Sequence, residues 1–218
     1  MARRRSPAGK RMDPAEREQQ IVQAAIRFFA DHGFSGTTRE LAARIGVVHG
    51  LLYRYFPTKE ALLERVYQEV FFGRLKPEWI AWLKDRSVPI RERLVRFYTD
   101  YATQVQTYEW VRIYLLAGIA GLDITSRYRA LVRKQIITVV VAETRDALGL
   151  PADEDAPLSE VEEDLIYVLH GGVLFLGIRR WVYRSPMRRP NIGRLVDVFL
   201  AGARELLLHR LDKQLSTA

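Results

Sequence analysis

Apolar positions recur three and four residues apart along nearly the whole chain, the spacing of one face of an α-helix. The first such stretch starts sharply. Asp13 is placed to cap a helix N-terminus, Pro14 suits the first helical position, and Glu16 can reach back to the cap. Ile21, Ala25, Phe28 and Phe29 then share a face, and His32-Gly33 predicts the stop. A few residues on, Thr37 and Glu40 repeat the capping signal ahead of Leu41, Ala42 and Ile45. Gly46 can take the left-handed conformation that ends this short helix. Another short helix has to fit between Val48 and Phe56, because Pro57 disfavours helical backbone at the residue before it. Thr58 caps the next, whose apolar stripe is Leu62, Leu63, Val66, Tyr67 and Val70.

The remainder predicts helices over 90–106, 108–120, 125–148, 159–183 and 192–211, with breaks at Pro77, 87–89, Gly121, 150–157 and 185–190. The Val/Ile run at 136–141 has strand propensity, but its flanks continue a helical pattern, so it reads as helix. There is no internal repeat and no alternation of strands with helices. The expected fold is all-α: an N-terminal helix-turn-helix domain of three helices, then a C-terminal helical bundle. The expected division is a basic arm at 1–12, a first domain at 13–60 and a second at 61–218.

Charge sharpens this picture. The net charge is +8 over 218 residues, and residues 1–60 hold 11 Lys/Arg against 6 Asp/Glu, so more than half of the excess sits in the first quarter. A basic excess supports contact with phosphate or an anionic membrane through counterion release, without choosing between them. The arm carries Arg3, Arg4, Arg5, Lys10 and Arg11 with no acid, and reads as disordered. No apolar run is long enough to span a bilayer, and nothing reads as an export signal. Cysteine is absent, which excludes thiolate chemistry and fits a cytoplasmic location.

Short helix, glycine turn, short helix is the geometry with which a helix enters the DNA major groove, where base edges are distinguishable. Ala42, Ile45, Val47 and Leu52 are the residues that would fix the crossing of the two helices. The wording of the segment is specific. Gly33-Phe34-Ser35-Gly36-Thr37-Thr38-Arg39-Glu40-Leu41-Ala42, then Ile45-Gly46-Val47, then Gly50-Leu51-Leu52-Tyr53-Arg54-Tyr55-Phe56-Pro57-Thr58-Lys59-Glu60-Ala61-Leu62-Leu63, closely resembles the tetracycline-repressor-like (TetR) family. The likeness covers about 50 residues; the rest is similar only in length and helical pattern.

The resemblance implies a homodimer on a palindromic double-stranded DNA operator, with a second domain that binds a ligand and dimerises. Thr37 and Thr38 would contact phosphate, Arg39 a phosphate or guanine, and Tyr53 and Tyr55 would bracket the backbone. Lys59 would clamp another phosphate, while His49, Gly50, Leu51 and Arg54 would read bases. Three positions depart from the family's usual pattern. Val48 replaces a capping Ser or Thr, His49 a Lys, and Leu51 a Thr or Ser, which moves the expected weight of specificity to Arg39, Arg54, DNA shape and the arm.

Two stripes are expected at the dimer interface: Leu165, Leu169, Gly172, Val173 and Leu176, and Leu195, Val198, Phe199, Gly202 and Leu206. The middle of the second domain is dense in aromatics, among them Tyr108 and Tyr128. A pocket for a small, mostly apolar ligand is expected from Phe97, Tyr98, Tyr101, Trp110, Arg112, Tyr114 and His170. His170-Gly171-Gly172 looks like an esterase oxyanion loop, yet no Gly-x-Ser-x-Gly elbow accompanies it. The histidines lie far apart without cysteine, so neither metal nor cofactor is expected. The alternatives are a ligand-blind architectural DNA binder and a helical small-molecule enzyme.

Overall fold

The computed structural model describes residues 13–186 and 191–215, with side chains described as far as His209; the basic arm therefore lies outside the described residues. Among them every regular element is helical. The chain forms two compact units that divide between Gln68 and Glu69.

The first unit holds α1 (Pro14–His32), α2 (Thr38–Ile45), α3 (His49–Tyr55) and most of α4 (Lys59–Val70). Asp13 accepts the Ala15 N–H as N-cap, Pro14 occupies the first turn, and Gly33 closes α1 at φ 72°. Glu16 lies in that first turn. The core is one face of each helix: Ile21, Val22, Ala25 and Phe29 of α1, Leu41 and Ala42 of α2, Leu52 of α3, and Leu62 and Val66 of α4. Burying each large side chain is worth about 1.5–3 kcal/mol. Gly46 ends α2 at φ 70°, ψ 29°, and its N–H turns back to the Ala42 and Ala43 carbonyls. That left-handed turn sets α3 against α2. Gly36 is required for a different reason: a Cβ there would stand 2.6 Å from the Phe28 ring.

The second unit comprises α5 (Glu78–Lys84), α6 (Ile90–Gln104), α7 (Tyr108–Ile119), α8 (Ile124–Val132), α9 (Thr138–Ala147), α10 (Glu160–Trp181) and α11 (Ile192–Leu215). A single 3-10 turn, Phe72–Arg74, precedes α5. Helix α5 was not among the expected spans: Pro77 and Pro89 read as breaks, and the seven residues between Pro77 and Asp85 give too short a period to register. It buries Trp79 and Leu83 and packs on α6 and α9. The long helix expected over 125–148 is helical throughout, but α8 and α9 are joined by a π-turn at Arg133–Ile137. One extra residue per turn rephases the side chains there.

The two stripes expected at a dimer interface divide differently. Leu169, Val173 and Phe199 are core residues of the protomer. Leu165 approaches the Cβ position of Gly202 to 3.0 Å and Leu195 that of Gly172 to 3.5 Å, so these four residues form the seam between α10 and α11. Leu176 is half-buried, and Val198 and Leu206 alone of the ten are exposed. The outward apolar face consists of Tyr167, Val168 and Phe175 on α10 with Val198 and Leu206 on α11. Both stripes run at helical spacing, and the spacing alone does not say which one meets the protomer's own core.

Candidate nucleic-acid interface and ligand cavity

Helix α2 begins at a complete capping box. The Thr37 side chain accepts the Glu40 N–H at 3.2 Å, and the Glu40 carboxylate accepts the Thr37 N–H at 2.7 Å. Those bonds hold the Glu40 carboxyl below its ordinary range, chiefly through the Thr37 N–H. Thr37 thus serves the helix terminus, and its hydroxyl, which also donates to Glu40, is already engaged.

Thr38 does something not visible in the sequence. Its Oγ1 lies 3.2 Å from His49 Nε2 and 3.2 Å from the Tyr53 hydroxyl. The His49 and Tyr53 rings meet edge to face at 4.7 Å. Three residues expected to touch DNA separately form one polar cluster that ties the start of α2 to α3. Tyr53 remains 41% exposed, so the cluster fixes its ring while leaving its edge outward.

Around it, Arg39, Gly50 and Arg54 are exposed, and Leu51 and Tyr55 are half-buried. Space is open around Gly50. Val48, the residue at the N-cap of α3, makes no side-chain cap bond and is 75% exposed. Helix α3 carries Arg54 and no acidic residue.

Lys59 differs from expectation. Its ammonium donates to the Phe34 carbonyl and, at 2.9 Å, to the Gly36 carbonyl. Two of its three donors tie the loop before α2 to the start of α4. Its first role is to hold that loop, and phosphate contact can use at most the remaining N–H. No sequence signal distinguishes the two roles, since the carbonyl partners lie more than twenty residues away.

The second unit contains a cavity of about 220 Å³ bounded by α6, α7, α8, the π-turn and α10. Of the residues proposed from the sequence for a ligand pocket, Tyr101, Trp110, Tyr114 and His170 line it. Phe97 and Tyr98 do not; both are fully buried core residues. Arg112 does not line it either, and its guanidinium lies 5.4 Å from the Tyr108 ring. The sequence reading missed Gln106, Arg129, Arg133 and Tyr167 in the wall, and Tyr128 also lines it.

Trp110 and Tyr114 stack in parallel at 5.0 Å, and Tyr128 stands edge-on to Trp110 at 5.4 Å. The Tyr101 hydroxyl lies 3.1 Å from that of Tyr128 and 3.4 Å from His170 Nε2. Burial pushes His170 down to about 4, so its ring is neutral at physiological pH. Burial also pushes Tyr98, Tyr101 and Tyr128 up, so all three stay protonated. His170 Nδ1 and Trp110 Nε1 are buried without a hydrogen-bond partner.

The first unit, with two short helices set by a glycine turn and an acid-free, partly exposed second helix, is a helix-turn-helix DNA-binding domain. Residues 21–66 match the family model of the bacterial regulatory proteins, tetR family. The chain is similar to the HTH-type transcriptional repressor KstR2 of Mycolicibacterium smegmatis (strain ATCC 700084 / mc(2)155), at 23% identity over 83% of this chain and 86% of that protein. It is also similar to the nucleoid occlusion factor SlmA of Haemophilus ducreyi, at 44% identity, but over only 24% of this chain and 29% of that protein. In fold it is similar to a TetR-like transcriptional regulator from Rhodococcus sp. RHA1, with a TM-score of 0.64 and 20% identity over 91% of this chain and 99% of that one. Residues 21–66 carry the DNA-binding domain of the tetR family, the fold is that of TetR-like regulators, and the chain is a DNA-binding transcriptional regulator, not an enzyme.

Proposed function

We propose that the protein is a repressor that binds a palindromic operator as a homodimer and leaves it when a small molecule enters the cavity of the second unit. The observation that carries the reading is the α2–α3 face. Arg39, Tyr53 and Arg54 are exposed there, no acid lies on α3, and the Thr38–His49–Tyr53 cluster locks the two helices together. Base reading falls to Arg54 and Gly50, with Leu51 at the groove edge; Tyr53, Tyr55 and Arg39 contact the backbone, and Arg39 also reaches a base. The similar KstR2 protein, named a repressor, supports the direction of control.

One such face contacts too little DNA for tight binding, so the functional unit carries two, spaced by one turn of the duplex, roughly 34 Å. The exposed apolar face of α10 and α11 is the surface available for pairing. Helix α4 starts in the first unit and ends in the second, which gives covalent continuity between reader and sensor. Ligand acts by favouring the state whose readers no longer match successive grooves. To take occupancy from 99% to 1% it must prefer that state by about 5.5 kcal/mol. Such a protein works where the chromosome is, in the cytoplasm.

Selection of random duplexes by the purified protein tests this. A twofold-symmetric consensus is expected. Salt-sensitive binding with no sequence preference would overturn it in favour of an architectural DNA binder.

A further inference from the structure

The 220 Å³ cavity has a chemistry of its own. Three aromatic rings, those of Trp110, Tyr114 and Tyr128, pack on one another at 5.0 to 6.2 Å and form one continuous aromatic wall. Two polar atoms are orphaned in its lining residues. Trp110 Nε1 can only donate, so it requires an acceptor, and His170 Nδ1 requires a partner in either tautomer. An orphaned buried polar atom costs roughly 1–3 kcal/mol, so each is a place where a ligand gains by supplying the missing partner.

The charge is one-sided. No Asp or Glu lines the cavity, whereas Arg129 and Arg133 do. Arg133 is held by Glu163. Arg129 makes no ion pair among the described residues; burial raises the Tyr114 phenol, and the Arg129 charge across the lining offsets that only in part. His170 stays neutral, so the cations of the wall are the two arginines. The π-turn contributes Arg133 and Ile137 to the wall.

We infer that the cavity takes a small monocarboxylic acid built on a single six-membered ring that bears a hydroxyl or carbonyl oxygen. This rests on the ligand-responsive reading above and names the class of ligand. The ring lies against this aromatic wall, the ring oxygen meets Trp110 Nε1 and His170 Nδ1, and the carboxylate faces Arg129 at the exposed end. A cation finds only like charge there. A volume of about 220 Å³ accommodates a single ring with its substituents.

Two probes suffice, 4-hydroxybenzoate and 4-hydroxycyclohexanecarboxylate, titrated into the full-length protein by calorimetry and by quenching of tryptophan emission. The uncharged 4-hydroxybenzyl alcohol and the cationic 4-hydroxybenzylamine serve as comparators. At least one acid is expected to saturate a single site per chain and to bind about tenfold more tightly than the alcohol, with no binding of the amine. In Arg129→Gln, an exposed position whose change leaves the melting temperature in place, acid and alcohol should bind equally. In Trp110→Phe both should weaken, because the lost donor served the ring oxygen common to them. Absence of saturable binding by either acid, equal affinity for alcohol and acid, or an unchanged acid affinity in Arg129→Gln each overturns the inference. The same samples are mixed with the selected operator. Acid binding that leaves the duplex complex intact rejects the ligand-response reading while keeping the ligand class. Release by the alcohol but not the acids does the reverse.

Discussion

At the scale of single residues, Lys59 and Thr38 show how a DNA-binding surface is held as well as what it presents. The Lys59 ammonium bonds two backbone carbonyls of the loop before α2, so removing it leaves Phe34 and Gly36 without a charge-assisted donor. A hydrogen bond to a charged group is worth about 1.5–3 kcal/mol, and Lys59→Met should destabilise the first unit by an amount of that order. Denaturant unfolding followed by helical circular dichroism measures this. Unchanged stability, with weaker binding to every duplex, would return Lys59 to a pure phosphate clamp. Thr38→Val tests the cluster with the smallest shape change available. It removes the hydroxyl shared by His49 and Tyr53 and should weaken duplex binding about fivefold, the equivalent of roughly one net hydrogen bond of 1 kcal/mol. Equal affinity of variant and parent in fluorescence anisotropy would show that the cluster does not set the presentation of α3.

At the scale of helices, the second unit is fastened by an ion cluster as well as by its apolar faces. Glu143 of α9 accepts from Arg93 of α6 at 2.7 Å and from Arg86 at 3.0 and 3.1 Å, and Arg93 also donates to the Leu83 carbonyl at the end of α5. Burial pushes the Glu143 carboxyl up, but the hydrogen bonds from the two guanidinium groups outweigh it and hold the group below the ordinary 4.5. A carboxyl whose folded value is depressed contributes stability that is present above its unfolded value and lost as pH falls through the folded one. Glu143→Gln leaves the buried Arg93 without its countercharge, which should cost about 3–5 kcal/mol at neutral pH. The variant should also lose part of the parent's sensitivity to acid below pH 4.5; parallel stability curves for the two proteins from pH 6 to 3 would contradict this. None of this cluster was legible in the sequence, because its members lie about fifty residues apart and no periodicity links them. What was legible followed local rules: the caps at Asp13 and Thr37, the stop at Gly46, and the helical spacing of the apolar positions. The cavity was half legible. Composition pointed to the aromatics of α6 and α7, but Arg129 and Arg133 could not be told from surface arginines, and a π-turn leaves no mark in a 3.6-residue pattern. Phe97 and Tyr98 failed as lining because an aromatic that fills a core and one that borders a void carry the same sequence signal.

At the scale of the whole molecule, the outer surface of α10 and α11 is where the proposed sensing and the proposed pairing meet. Tyr167 and Gly171 line the cavity, and both are also exposed, on the same α10 segment as Val168 and Phe175. A ligand that displaces this segment therefore alters the surface on which the second copy is proposed to rest, and a two-state dimer needs only that difference to respond. Pairing over this face gives a sharp contrast between neighbouring positions of one helix. Phe175 and Val198 point outward, so Phe175→Glu or Val198→Glu should leave each protomer folded while placing a charge in the apolar contact. Sedimentation velocity should then report the 25.2 kDa chain, and the parent should sediment at twice that mass. Operator affinity should fall steeply, because each released protomer reads one half-site. Leu169→Glu buries its charge inside the protomer and should instead unfold the second unit, losing helical signal and dimer together. If Phe175→Glu and Val198→Glu both sediment as the parent does and bind the operator as well, the second copy does not sit on α10 and α11, and ligand would have to reach α3 by a route that bypasses this face.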